Sequence, residues 1–102
     1  MRKTKRHPSI APSHPGTIIA MGLSETGITR AALAKALGIS RNTLYKILEG
    51  KQSVTADMAV RLGAVWGGSA EMWLNIQSSY DLWHAQRRVD TSTFKRLVED
   101  AA

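Results

Sequence analysis

The sequence predicts an all-α domain, and three observations carry this prediction. Apolar residues recur at three- and four-residue steps in several separate stretches, which is the spacing of one helix face. Ser, Thr or Pro precedes most of these stretches and Gly follows them, as is typical of helix starts and ends. No stretch alternates apolar and polar residues as a half-buried strand does. The 102 residues have the size of a single domain.

The first two predicted helices follow a short entry segment. Pro15 suits the first turn of a helix, and the apolar residues among 18–23 continue that helix until it ends before Gly27. Thr29 is a suitable N-cap for a second helix over 30–37, in which Leu33, Ala34 and Leu37 lie along one face.

The third and fourth helices have the same kind of boundary. Ser40 caps a helix from 41 to about 49, and the glycine that follows ends it. Thr55 caps the next helix, whose apolar residues over 58–65 keep helical spacing. The pair Gly67-Gly68 closes that helix. These signals separate two short amphipathic helices rather than one long one.

The fifth predicted helix is the longest. Ser69 is its N-cap, Glu71 is an acidic residue in its first turn, and it extends to about Arg88. Beyond it, Asp90 or Thr91 is a candidate cap for a short sixth helix that contains Phe94, Leu97 and Val98. The sequence therefore predicts five helices with room for a sixth at the C-terminus.

Composition limits the sites that this chain can contain. There is no cysteine, which excludes disulfides and thiolate metal ligands. His7, His14 and His84 lie far apart, so we expect no metal site and no cofactor. Nothing pairs a nucleophile with a base in a cleft, so we expect no enzyme and no small-molecule substrate. No apolar run reaches the roughly 18 residues that span a bilayer, which predicts a cytoplasmic protein without a membrane partner.

The charge of the chain favours a polyanionic partner. Lys and Arg number 14 against eight Asp and Glu, a net charge of +6. Such a charge favours nucleic acid first and an anionic membrane second. Residues 1–13 are predicted to be a flexible basic arm ahead of a domain over 14–102, with four basic residues and two prolines. The arm either contacts DNA in the minor groove or along the backbone, or is a solvated tail.

A helix-turn-helix unit is predicted over residues 29–50. Gly38 supplies a left-handed turn after the second helix, and the small side chain of Ala34 lets the two helices cross closely. Ile39 fills the turn, while Leu44 and Ile47 anchor the second of the two helices in the core. The alternative is an ordinary helical hairpin with a solvated basic face.

The outward residues of this unit are suited to DNA. In such units the second helix enters the major groove by its N-terminal end, and Arg and Asn side chains can bond the edges of guanine and adenine. Residues 29–54 contain five basic residues and one acidic residue, a net charge of +4. The predicted base contacts are Ser40, Arg41, Asn42, Thr43, Tyr45 and Lys46. The predicted phosphate contacts are Thr29, Arg30, Lys51, Gln52 and Ser53.

An apolar stripe on the fifth helix predicts a homodimer. Its members recur at three- and four-residue steps and are Met72, Trp73, Ile76, Tyr80 and Trp83. The stripe either closes the core of one chain or, together with the rest of residues 69–100, joins two chains. A two-fold dimer would place two recognition helices about 34 Å apart, which predicts a palindromic operator.

The chain resembles the HigA-type antitoxins, formerly called VapI-like, of the Xre or lambda-repressor-like group. The resemblance covers roughly residues 14–85. It rests on His14-Pro15-Gly16, Leu33-Ala34, Leu37-Gly38, Ser40-Arg41-Asn42-Thr43, Ile47-Leu48-Glu49-Gly50-Lys51, the run from Thr55 to Leu62 and the run from Ser69 to Asp81. Glu49 departs from the expected pattern, since an acidic residue near the DNA face should repel phosphate.

The resemblance implies a five-helix lambda-repressor-like fold, a dimer and two linked activities. One is neutralisation of a HigB-type, RelE-like mRNA-cleaving toxin, and the other is repression of the operon that encodes both proteins. No motif identifies the surface that binds the toxin. Two alternatives stay open: a stand-alone regulator of phage or orphan type without a toxin, and an adaptor that binds proteins through the stripe on the fifth helix.

Overall fold

The computed structural model describes residues 10–99, so most of the predicted basic arm lies outside the described residues. Within that range the chain forms α-helices and no strand, in agreement with the predicted all-α class. The helices are α1 (Pro15–Thr26), α2 (Arg30–Leu37), α3 (Arg41–Leu48), α4 (Ala56–Val65) and α5 (Ala70–Arg88).

The four predicted N-caps of α2 to α5 are confirmed. In each case the hydroxyl of Ser or Thr accepts a hydrogen bond from the backbone N–H three residues later, at 3.0–3.2 Å. Each bond satisfies one of the backbone donors that a helix leaves unpaired in its first turn. The caps are Thr29, Ser40, Thr55 and Ser69.

The start of α1 uses a histidine instead of a hydroxyl. His14 is buried, and its Nδ1 accepts a hydrogen bond from the Gly16 N–H at 2.9 Å. Pro15 occupies the first helical position, as predicted. Gly16 lies so close to α3 that a Cβ at this position would overlap the carbonyl of Ile47. The glycine therefore allows α1 and α3 to touch backbone to backbone.

One core joins all five helices. α4 and α5 pack against each other most extensively, and α1 contacts both α3 and α5. The small Ala34 is buried between the helices of the predicted crossing, as expected. The buried apolar side chains are Ile19, Leu23, Leu33, Ala34, Leu37, Leu44, Ile47, Val54, Met58, Ala59, Leu62 and Trp73.

The prediction of a short sixth helix is wrong. Residues 89–99 form only local turns, in which the Asp90 carboxylate accepts a hydrogen bond from the Ser92 N–H and the Phe94 N–H donates to the Thr91 carbonyl. Phe94, Leu97 and Val98 are 69%, 92% and 74% exposed. A helix this short is costly to nucleate, and no neighbouring element buries its apolar side here.

Two further results concern the whole described range. None of the helices within residues 10–99 is long and apolar enough to cross a membrane. In the same residues no three His, Asp or Glu side chains come together as ligands for a metal ion.

Candidate nucleic-acid interface

The turn between α2 and α3 has the predicted geometry. Gly38 is left-handed at φ 74°, and the Ile39 N–H donates to the Ala34 carbonyl at 3.0 Å. Ile39 is half-buried against the core. The connection is three residues long, since α2 ends at Leu37 and Arg41 is already helical. A short, hydrogen-bonded turn fixes the direction in which α3 leaves α2.

A residue of α4 braces this turn. Arg61 donates from Nη1 to the Leu37 carbonyl at 2.9 Å and from Nε to the Asp57 carboxylate at 2.7 Å. The first bond satisfies a carbonyl at the C-terminus of α2, where the helix dipole favours a cation. Sequence reasoning missed this role because the two partners are 24 positions apart.

α3 separates a buried face from an exposed face. Leu44 and Ile47 are buried in the core, as predicted. At 100° per residue, the positions of the exposed residues fall within about 140° of the helix circumference. These exposed residues are Arg41, Asn42, Tyr45, Lys46 and Glu49.

The two hydroxyl residues of the predicted base-contacting set are bonded to each other. The Ser40 hydroxyl accepts from the Thr43 N–H at 3.0 Å and donates to the Thr43 hydroxyl at 2.9 Å. Ser40 is exposed, whereas Thr43 is half-buried. The structure thus gives Ser40 a capping role in addition to its predicted base contact.

The first residue of α2 lies next to the exposed face of α3. The Arg30 guanidinium carbon is 5.2 Å from the centre of the Tyr45 ring, a cation–π distance. Thr29, immediately before it, is exposed and uses its hydroxyl to cap α2. The start of α2 therefore adds a positive charge beside the exposed face of α3.

The loop after α3 carries the remaining predicted phosphate contacts. Lys51, Gln52 and Ser53 are all exposed. The Lys51 ammonium is 3.3 Å from the Glu49 carboxylate, and both side chains are largely accessible to water. An exposed ion pair of this kind contributes at most about 1 kcal/mol. Glu49 therefore competes weakly with phosphate for Lys51 rather than blocking it.

Buried polar side chains contact the loop that follows α3 on its inner side. Gln77 of α5 is 3% exposed, and its side-chain carbonyl accepts from the Val54 N–H at 2.7 Å while its amide donates to Asp81 at 2.9 Å. The ring of His14 lies edge-on to Tyr80, with 4.9 Å between the ring centres. Burial lowers the pKa of His14, and the negative charge of Asp81 partly offsets this.

Sequence reasoning did not assign these two residues. Gln77 lies one turn after Trp73 on the same face of α5. A polar residue on this otherwise apolar face could have indicated a buried polar contact. His14 stands directly before the first-turn proline, in the position of a helix cap. In both cases the partner is distant in the sequence, so the signal marks the residue but not its contact.

The predicted dimer stripe on α5 divides into two groups. Trp73 is 2% exposed and donates from its indole N–H to the Gly67 carbonyl, which favours the alternative that this part of the stripe closes the core of one chain. Tyr80 packs against His14 in the same chain. Met72 and Ile76 instead line a surface groove, and Trp83 is half-buried beneath the Arg87 guanidinium.

The arrangement can bind an extended polyanion. The described residues bring the exposed side of α3, the start of α2 and the loop after α3 into one unit with a net charge of +4 over residues 29–54. Donors suited to base edges lie on the helix, and cations suited to phosphate lie on either side of it in the sequence. Hydrogen-bonded turns before and after α3 hold these donors in fixed positions.

Comparison with known proteins gives three findings of one kind. A helix-turn-helix family model matches residues 23–70. Antitoxin HigA-1 of Vibrio cholerae is 42% identical over 86% of this chain and 80% of its own length. The uncharacterised HTH-type transcriptional regulator YddM of Escherichia coli is 38% identical over 94% of this chain and 97% of its own.

A solved structure extends the likeness to three dimensions. The Pseudomonas aeruginosa antitoxin HigA, determined with the higBA promoter, superposes with a TM-score of 0.74 at 37% identity. The match covers 85% of this chain and 99% of that one. The similarity therefore extends well beyond the helix-turn-helix unit.

Proposed function

The chain belongs to the HigA-type antitoxin family of helix-turn-helix proteins, and from this premise we propose that it is a sequence-specific DNA-binding repressor that also neutralises a HigB-type toxin. The proposed activities are binding activities and require no catalysis. Because bacterial operator DNA lies in the cytoplasm, the proposed function is a cytoplasmic one.

One observation carries the DNA-binding part of the proposal. The exposed side of α3 presents Arg41, Asn42 and Lys46 next to a turn that Gly38 and Arg61 hold in place. In helix-turn-helix proteins this part of the second helix reads base edges in the major groove. A relative of high structural similarity was determined with its own promoter, which supports the same use of this surface here.

The homodimer is proposed from the C-terminal part of the chain. Leu82 and Val89 are exposed, and so are Phe94, Leu97 and Val98 in the segment that follows α5. A monomer seldom leaves this much neighbouring apolar surface in water. We place the two-fold contact at the end of α5 and in this segment, with Trp83 of the predicted set beside it. Analytical ultracentrifugation that shows a stable monomer at micromolar concentration would contradict the dimer.

Operator binding is tested with duplex DNA that covers the region upstream of the chain's own gene. Arg41→Ala should cost about 1–3 kcal/mol of binding free energy and relax the base preference at one position. A duplex of the same length and scrambled sequence is the control, and its weaker, phosphate-based binding should change less than operator binding does. Intact affinity in Arg41→Ala would refute the proposed groove contact.

The antitoxin role is tested by co-expression with the product of the neighbouring gene. A HigB-type toxin should co-purify with this chain and lose its mRNA-cleaving activity in the complex. A chain that binds its operator but has no toxic neighbour would instead be a stand-alone regulator, which the similarity to YddM also accommodates. An unaltered chain that binds neither its operator nor a toxin would leave only the third alternative, an adaptor that binds proteins through α5.

A further inference from the structure

A shallow groove crosses the surface between α1 and α5. Ile18 and Met72 contribute to both halves of the groove, Ile76 lines one half and Met21 the other. Residues 10–13 border the first half, and the connection between α4 and α5 borders the second. No residue of α2 or α3 takes part. The groove is therefore separate from the candidate DNA interface.

The charge around this groove is opposite to that of the DNA interface. Of the residues that line the two halves of the groove, only Glu25 and Glu71 are charged. The lining therefore carries a net charge of −2 in a chain of net charge +6. Glu25 and Glu71 are exposed and stand in the lining of the groove itself.

This charge disfavours a second copy of the chain as the occupant. A two-fold interface presents the same surface to itself, so such a dimer would bring the acidic linings of two grooves together. Like charges across an interface cost free energy. The exposed apolar residues of the C-terminal segment provide a contact without this penalty.

A toxin that cleaves mRNA has the complementary chemistry. Its substrate is a polyanion, so the toxin must offer Lys or Arg side chains to phosphate. An apolar groove lined by carboxylates can cover apolar residues and pair with neighbouring cations at the same time. The carboxylates of the groove would then compete with RNA for the Lys and Arg side chains of the toxin, and this competition would inhibit the toxin.

We propose that the groove formed by Ile18, Met21, Met72 and Ile76, with Glu25 and Glu71 in its lining, is the docking site for a cationic, partly apolar segment of the toxin. The proposal rests on the antitoxin role proposed above and assigns that role a surface. It also separates the two partners in space, so toxin and operator can be bound by one chain at the same time.

The experiment measures the affinity of an inactive toxin from the neighbouring gene for variants of the full chain. Glu71→Lys should weaken binding about tenfold or more, with a smaller loss at high salt. Ala64→Lys is the control, because it places the same lysine at an exposed position of α4 outside both the groove and the candidate DNA interface. It should bind toxin as the unaltered chain does.

A second pair of variants tests the apolar part of the groove. Met21→Ser should weaken toxin binding several-fold, since it removes apolar area from the contact. Val60→Ser on α4 is the control, because Met21 and Val60 are similarly exposed, at 58% and 62%. Thermal melting and operator binding of all four variants check that each chain is folded.

The outcomes separate the groove from the antitoxin role. Equal toxin affinity in all four variants would overturn the groove and leave the antitoxin role standing, whereas an unaltered chain that binds no toxin removes both. Altered sedimentation of Glu71→Lys would assign the groove to a second copy. Tighter toxin binding after deletion of residues 1–9 would assign it to the chain's own N-terminus, and either result would overturn the proposal.

Discussion

The two exposed surfaces of this domain are built in different ways. The candidate DNA interface over residues 29–54 is basic, and caps, a left-handed glycine and backbone hydrogen bonds fix its polar side chains. The groove between α1 and α5 is apolar and acidic, and it includes flexible Met21 and Met72. The first is suited to reading fixed base edges, and the second is suited to an irregular protein surface.

The largest expected effect comes from the contact that holds the two surfaces together. Gly16→Ala forces a Cβ into the Ile47 carbonyl, which should lower the free energy of unfolding by about 3 kcal/mol or more. Urea denaturation measures the loss. Thr17→Ala, one position along α1 and exposed, should change stability by less than about 0.5 kcal/mol.

An unaltered melting curve for Gly16→Ala would mean that α1 and α3 do not touch as described. In that case the groove and the DNA interface would be free to move relative to each other, and the comparison between two fixed surfaces would fail.

The next effect concerns the link between α5 and the loop that follows α3. Gln77→Leu leaves the buried Val54 N–H without its acceptor, which should cost about 1–3 kcal/mol of stability. Operator affinity should also fall, although Gln77 touches no predicted DNA contact. Gln86→Leu makes the same change at an exposed position of α5 and is the control. Equal stability of the two variants would show that Gln77 does not hold the loop.

The effect of pH should act through His14. Burial lowers its pKa, so the folded chain binds a proton less readily than the unfolded chain. The resulting stabilisation is fully present above 6.5, the ordinary pKa of histidine, and is lost as pH falls from there towards the lowered pKa. Protonation would also remove the Nδ1 acceptor that caps α1.

The measurement compares urea midpoints at pH 7.5 and pH 5.5 with those of His14→Asn. Asparagine is a good cap and does not titrate, so this variant should lose less stability on acidification. An equal loss in both chains would remove His14 as the cause.

The smallest effect is expected at Lys51, beside the interface. Lys51→Ala should weaken binding to all duplexes alike and reduce the slope of log affinity against log salt by about one. Fluorescence anisotropy at several salt concentrations measures this slope. Glu49→Gln should change affinity in the opposite direction, because it releases Lys51 from its ion pair. An unchanged slope in Lys51→Ala would exclude the phosphate contact.

Most of the fold could be predicted because its determinants are local. The caps Thr29, Ser40, Thr55 and Ser69 act within three residues, and the turn at Gly38 depends on the conformation of one glycine. The exposed side of α3 followed from helical spacing once Leu44 and Ile47 were assigned to the core.

What sequence reasoning missed depends on contacts between distant positions. The roles of His14, Arg61 and Gln77 are set by partners on other elements. The residues of the α5 stripe are all large and mostly apolar, so the sequence does not distinguish them. In the structure, however, Trp73 is in the core and Met72 lines the groove. The predicted sixth helix has suitable spacing but no element against which to pack.

The separation of charge also has a kinetic consequence. A molecule with cations on one part of its surface and carboxylates on another has a large electric dipole, and the field of a duplex exerts a torque on it during diffusion. The chain would therefore turn its α3 side towards DNA before contact, and fewer collisions would be unproductive.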